Sequence, residues 1–239
     1  MSLIYKKILA QKKKNKPVLA VLIDPDKFNL DVIIKANDVA HLFFVGGSVL
    51  KNGELENCIS KIKKHSKLPV IIFPGDTNQL DKRADALLLL SLISGRNSDY
   101  LIGKHVEVAR KIKASKQEVI STGYILVEGG KKSKTEKVSK TQSLSKKNSS
   151  KIVDTAIAGE LLGMKLIYLE AGSGASEQIN SKIITEVKRQ ITIPLIVGGG
   201  INSIDKVNSV IKSGADVVVI GNALEKNISL LEDIKKCFK

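Results

Sequence analysis

In the stretch Met164–Ala175 (MKLIYLEAGSGA) a single carboxylate, Glu170, stands among apolar and small residues. The run Leu166–Leu169 before it is short and continuously apolar, the pattern of a strand covered on both faces. Gly172-Ser173-Gly174 follows, a turn that lets backbone N–H groups come close to a ligand. A strand end, one acid and a glycine turn form a place where an anion binds beside a base. The theme recurs in Pro194–Gly200 (PLIVGGG) and in Val217–Asn222 (VVVIGN). Taken alone, each glycine end is only a tight turn. Three in succession point to one phosphate pocket built from Gly172–Gly174, Gly198–Gly200 and Gly221-Asn222, with Asn222 as a side-chain donor or a helix cap.

A second set of chemistry-bearing residues lies early in the chain. Val21–Lys27 (VLIDPDK) ends an apolar run with Asp24, Asp26 and Lys27, and Val45–Ser48 (VGGS) ends the next. A hard cation such as Mg²⁺ prefers oxygen ligands and often takes only one or two protein groups plus substrate phosphate. Asp24 and Ser48 could supply them. Asp26 reads equally well as the N-cap of a helix beginning near Leu30.

The elements that must hold these residues alternate regularly. Strands are expected at 18–25, 41–48, 68–75, 84–92, 118–128, 164–171, 193–200 and 215–221. Helical periodicity covers 30–39, 54–64, 100–115, 152–162, 179–190 and 204–213, and a short helix with Leu3, Ile4, Ile8 and Leu9 on one face opens the chain. Eight β units separated by helices over 239 residues predict a single α/β domain, a closed TIM (β/α)8 barrel. An open doubly wound sheet competes, but a G-x-G-x-x-G after the first strand is missing. Between the third and fourth strands only Asp76–Arg83 is available, too short for a crossover helix. The barrel flank should be bare there, leaving an apolar groove bordered by Leu87, Leu89 and Ile102. The segment 129–150 is rich in Lys and Ser, has no apolar stripe, and is expected to be a long mobile loop at the strand C-terminal rim. It reads as a lid or phosphate-attracting loop, against a plain solvated insertion.

Lys and Arg number 39 against 24 Asp and Glu, a formal charge of +15, which suits anionic partners. Aromatic residues are 4% with no Trp, too few stacking platforms for a nucleic-acid binder. The two cysteines and three histidines match no metal or redox spacing, and no membrane span or signal peptide is legible, so a cytoplasmic protein is expected.

As a set, LIDPDK, FFVGGS, PVIIFPG, YLEAGSGA, PLIVGGGI and VVVIGNAL resemble the geranylgeranylglyceryl phosphate synthase family, which includes the heptaprenylglyceryl phosphate synthases. The likeness runs from about Pro17 to Leu224 and is greater to the larger, archaeal-type group. It implies a modified barrel lacking one helix. It also implies transfer of a polyprenyl group from its diphosphate to the 3-hydroxyl of sn-glycerol 1-phosphate. Residue by residue, it assigns Mg²⁺ to Asp24 and Ser48. The glycerol phosphate falls to Tyr168, Leu169, Glu170, Ala171, Gly172, Ser173, Gly174, Gly199, Gly200, Gly221 and Asn222, and the role of base to Glu170. The segment 129–150 is richer in Lys and Ser than the family pattern, and the resemblance carries no catalytic role into it; by the chemistry of a leaving diphosphate, Lys27 and these lysines are expected to help. A homo-oligomer, dimer or hexamer, and a transient contact with a membrane surface complete the expectation. The alternatives are a barrel enzyme acting on a small sugar phosphate, and a non-enzymatic phosphate- or RNA-binding barrel.

Overall fold

A computed structural model describes residues 3–51 and 53–238. Its eight strands are β1 (Val18–Ile23), β2 (Leu42–Val45), β3 (Val70–Ile72), β4 (Ala86–Leu92), β5 (Glu118–Leu126), β6 (Leu166–Glu170), β7 (Leu195–Gly198) and β8 (Val217–Ile220). All neighbours pair in parallel and β8 pairs with β1, so the sheet closes as a (β/α)8 barrel. The strands are shorter than the apolar runs in the sequence because their last residues leave the ladder to form the turns of the site.

Side chains alternate between two apolar layers, as the pleat requires. Leu166 and Tyr168 join Ala20, Phe44, Ile71 and Ile196 inside the barrel. Ile167, Leu169 and Ala171 face the surrounding helices. The helix α1 (Leu3–Lys13) places Ile4 and Ile8 against the barrel interior, while Leu3 is left exposed. Its first amides, of Ile4 and Tyr5, donate to the Glu118 carboxylate at 2.8 Å each, so α1 is tied to the start of β5.

Helices α2 (Leu30–Ala36) and α3 (Leu55–His65) follow β1 and β2. The side chain capping α2 is Asn29, not Asp26. Asp26 instead accepts from the amides of Lys51 (2.9 Å) and Gly53 (2.5 Å), so it holds the loop after β2. No helix lies between β3 and β4. After β4 the chain makes one π turn, Asp99–Gly103, and then α4 (Lys104–Ser115).

The segment 129–150 departs from the expected loop. It contains α5 (Lys134–Ser139), closed at its start by a reciprocal capping box between Ser133 and Glu136. Leu144 forms a parallel bridge to Val127, which extends the β5 edge. Two lone apolar residues, Val138 and Leu144, anchor it, too few to make a stripe in the sequence. The chain then enters α6 (Ser149–Leu161), α7 (Ser181–Gln190) and α8 (Ile204–Lys212) between the last strands.

Candidate active site

The C-terminal ends of the strands surround a cavity of about 1100 Å³, its open side included. Asp24, Ser48, Tyr168, Glu170, Ser173, Gly174, Gly199, Gly200, Gly221 and Asn222 all line it. Leu169 and Ala171 turn their side chains outward into the helix layer, and only their backbone is on the site side. Gly172 lies under it, with positive φ and its amide turned to the acid.

Glu170 ends β6 and is buried. Its Oε1 accepts from the Gly172 amide at 2.7 Å. The Tyr168 hydroxyl lies beside the carboxylate and eases its charge without making a hydrogen bond of regular geometry. Burial outweighs both and pushes the carboxyl from 4.5 up to about 7. Such a group is half ionised near neutrality, the condition for a general base. The neighbouring glycines are required by this carboxylate. A Cβ on Gly199, where φ is +84°, would sit 2.4 Å from Oε1, and one on Gly198 3.0 Å from Oε2.

Three strand ends are tied together across the opening. The Ser173 hydroxyl donates to Asn222 Oδ1 (2.6 Å), and Asn222 Nδ2 donates to Glu225 (2.9 Å). Glu225 in turn pairs with Lys27 at 2.6 Å. Asn222 is thus the first residue of a short helix, Asn222–Lys226, and a link in this chain rather than its cap. Lys27, expected to help with the diphosphate, is paired with Glu225.

Asp24 is half-buried at the end of β1, and its Oδ1 accepts from the Asp26 amide at 3.1 Å. Burial raises its carboxyl above the ordinary value, the Asp26 charge adds to this, and Lys27 and Lys134 oppose it. Its other oxygen makes no hydrogen bond among the described residues. Those residues contain no cluster of three acidic, His or Cys side chains. A cation here would depend on Asp24, the Ser48 hydroxyl, water and substrate oxygens, which is the donor set Mg²⁺ accepts.

Beside the mouth, along the bare flank, runs a groove of about 840 Å³, its open side included. Leu80, Leu87–Leu90, Leu92, Tyr100, Val108, Ile112 and Val138 give it an apolar lining. Leu87 and Leu89 are placed as expected, whereas Ile102 is exposed on the far side of the π turn and does not line it. Gly47, Ser48, Phe73, Tyr124 and Thr135 line both spaces, so the groove leads into the mouth between Asp24 and Glu170. Thr135 and Lys134 were missed at the level of sequence because their segment reads as a loop. The S-x-x-E pattern of Ser133–Glu136 was the signal that a helix starts there.

The sequence pattern of the PcrB family matches residues 10–238. The chain belongs to the PcrB family. Among curated relatives in the family, the geranylgeranylglyceryl phosphate synthase of Flavobacterium johnsoniae is 46% identical over 233 residues, 95% of this chain and 96% of that protein. The enzyme of the same name from Pyrococcus horikoshii is 39% identical over 236 residues, covering 96% and 92%. The crystal structure of (S)-3-O-geranylgeranylglyceryl phosphate synthase from Thermoplasma acidophilum, in complex with its substrate sn-glycerol-1-phosphate, superposes with a TM-score of 0.93. It is 28% identical and covers 100% of this chain and 99% of its own.

The raised Glu170 carboxyl has a consequence for stability. It holds its proton in the folded state up to about pH 7 but in the unfolded chain only to about 4.5. Its contribution is therefore fully present below 4.5 and lost as pH rises through 7, a span worth roughly 3 kcal/mol. Glu170→Gln keeps the acceptor for Gly172 and has no charge to bury. Thermal melts should show the variant gaining on the wild type between pH 5 and pH 8. A difference in Tm that does not change with pH would mean that Glu170 is not held protonated by burial.

Proposed function

We propose that this PcrB-family protein transfers a polyprenyl group, geranylgeranyl in the first instance, from its diphosphate to the 3-hydroxyl of sn-glycerol 1-phosphate. The observation that carries the reading is the meeting of an apolar groove with a glycine-lined anion pocket at one buried carboxylate of near-neutral pKa. The names and the bound substrate of the relatives agree with it. A small sugar phosphate would leave the groove without an occupant.

In this reading the glycerol phosphate rests on the backbone of Gly172–Gly174, Gly199-Gly200 and Gly221-Asn222, which aims its 3-hydroxyl at Glu170. The carboxylate takes the hydroxyl proton as the oxygen bonds to C1 of the prenyl chain, and the C1–O bond to diphosphate breaks with its electron pair on the leaving group. Positioning and exclusion of water do much of the work, because the allylic carbon is stabilised by its own resonance. Asp24 and Ser48 would hold Mg²⁺ against the diphosphate oxygens, where the ion neutralises charge on the leaving group. Lys134, at the same opening and with no ion pair among the described residues, faces the same anion. The prenyl tail takes the groove. Among the described residues no helix is long and apolar enough to cross a membrane. We place the enzyme in the cytoplasm as a homo-oligomer, dimer or hexamer, with transient contact at a membrane surface suited to its formal charge of +15.

The direct test is incubation with labelled sn-glycerol 1-phosphate, Mg²⁺ and geranylgeranyl diphosphate, followed by extraction of the lipid product. No labelled lipid with any prenyl diphosphate would overturn the reading. Glu170→Gln should bind both substrates and turn over at least about 100-fold more slowly, and wild-type kcat/KM should rise with pH to a plateau above about 7. Asp24→Asn should shift the Mg²⁺ titration to higher concentration while glycerol phosphate affinity holds. An unmoved titration removes Asp24 from the metal site. Val108, buried on the groove side of α4, tests the tail. Each CH₂ removed from water is worth roughly 0.8 kcal/mol, so affinity should climb with chain length until the groove ends. Val108→Trp should move that end to a shorter chain, and an unchanged length profile would place the tail elsewhere.

A further inference from the structure

The connection that replaces a helix, Asp76–Arg83, contains one side chain that neither groove nor mouth explains. Gln79 is only 1% exposed. Its Nε2 donates to the Gly47 carbonyl at 2.7 Å, and its Oε1 accepts from the amides of Gly47 (3.3 Å) and Gly75 (3.2 Å). The β2–β3 ladder ends at Val45↔Ile72 and the bond from Phe73 N to Val45 O (2.9 Å). Beyond that point the Gln79 amide supplies the bonds that a further pair of strand residues would have made.

The geometry leaves little freedom around it. A Cβ on Gly75 would meet the Gly47 carbonyl oxygen at 2.1 Å and the Ser48 Cα at 2.7 Å, and one on Gly46 the Phe73 carbonyl at 2.0 Å. The two turns are therefore packed backbone on backbone, with Gln79 as their joint. On its other side the loop is held by Asp26, through the amides of Lys51 and Gly53. Ser48 sits between these two braces, where the groove enters the mouth.

We infer that Gln79 is a positioning residue that fixes Gly47-Ser48 at the junction of groove and mouth, and so sets the geometry for the diphosphate end of the prenyl substrate. The inference rests on the proposed transferase reading and deepens it. The same connection that gives up its helix to open the groove sends one buried amide back to brace the groove's inner end. The glycerol phosphate cradle, formed by β6, β7 and β8, does not depend on it.

The test is a comparison of two affinities in Gln79→Leu. This change leaves the Gly47 amide and carbonyl and the Gly75 amide without their side-chain partner. With the variant shown to be folded by circular dichroism, KM for geranylgeranyl diphosphate should rise about 10-fold and the Mg²⁺ titration should move with it. Binding of sn-glycerol 1-phosphate, followed by calorimetry without the second substrate, should stay within about twofold. Gln79→Met keeps the length of the side chain and has neither the amide donor nor the amide acceptor, so it should show the same split and carries the test should the leucine variant not fold. Equal weakening of both substrates, or no weakening of either, overturns the positioning role. Failure of the wild type to transfer a prenyl group is a separate result that removes the transferase reading itself.

Discussion

The site depends first on burying one carboxylate. Glu170 is the end of a strand whose other residues are apolar, and among the described residues nothing cationic pairs with it. An unpaired buried charge is costly, so the group holds its proton to near neutrality instead of staying fully ionised. Space around it must also be kept clear, and Gly198 and Gly199 do this because any side chain there would meet its oxygens. The missing side chain of Gly199 also leaves its backbone on the lining of the mouth. One constraint thus serves both proposed roles, the base and the surface on which a phosphate would rest, and the two lie side by side because they have the same cause.

The second feature of the barrel follows from a shortage of chain. The stretch Asp76–Arg83 between β3 and β4 is too short to cover the flank with a helix, and Leu87, Leu89 and their neighbours are left facing a groove. The flank is then repaired piecemeal. A π turn and α4 form one wall, α5 roofs the inner end through Thr135 and Val138, and the connection contributes Leu80. Hydrogen bonds fasten the roof: the Tyr100 hydroxyl donates to the Val138 carbonyl at 3.2 Å and Asn97 to the Ser139 carbonyl at 2.8 Å.

Legibility in the sequence tracked how local the signal was. Strand ends with glycines, the lone Glu170 and the missing helix all show in runs of a dozen residues or fewer. Periodicity and chain length are enough to read them. The segment 129–150 failed that test, since its order comes from single contacts: a capping box, the bridge of Leu144 to Val127, and Ser139 packed out of solvent. Polar composition argued for a mobile loop, and tertiary contacts decided otherwise. Asp26 and Gln79 were opaque for a related reason. A carboxylate bound to amides 25 and 27 residues away, and an amide bound to one 32 residues away, leave no pattern along the chain. Ile102 was misplaced because a π turn shifts the helical phase by one residue, which rotates its side chain away from the groove.

The two halves of the opening are built by different means, and this bears on how two anions could be kept apart. On the β6–β8 side the proposed anion contacts are with backbone, and the nearby side chains Ser173, Asn222, Glu225 and Lys27 are spent on one another. That side offers amides in a fixed shape and little net charge, which favours a small phosphate of defined geometry. On the β1–β2 side the groups are a half-buried carboxylate, a hydroxyl and, from above, the exposed amine of Lys134. Such a set suits a cation and a larger, flexible anion that completes the coordination itself. The groove shares Gly47, Ser48 and Phe73 with this second side, so the proposed anion with an apolar tail would enter there. Glu170 lines the mouth with both, and in the proposed reaction a hydroxyl held by the first half would meet there a carbon delivered by the second. The order of the strands around the barrel therefore does what a separate binding domain would otherwise have to do.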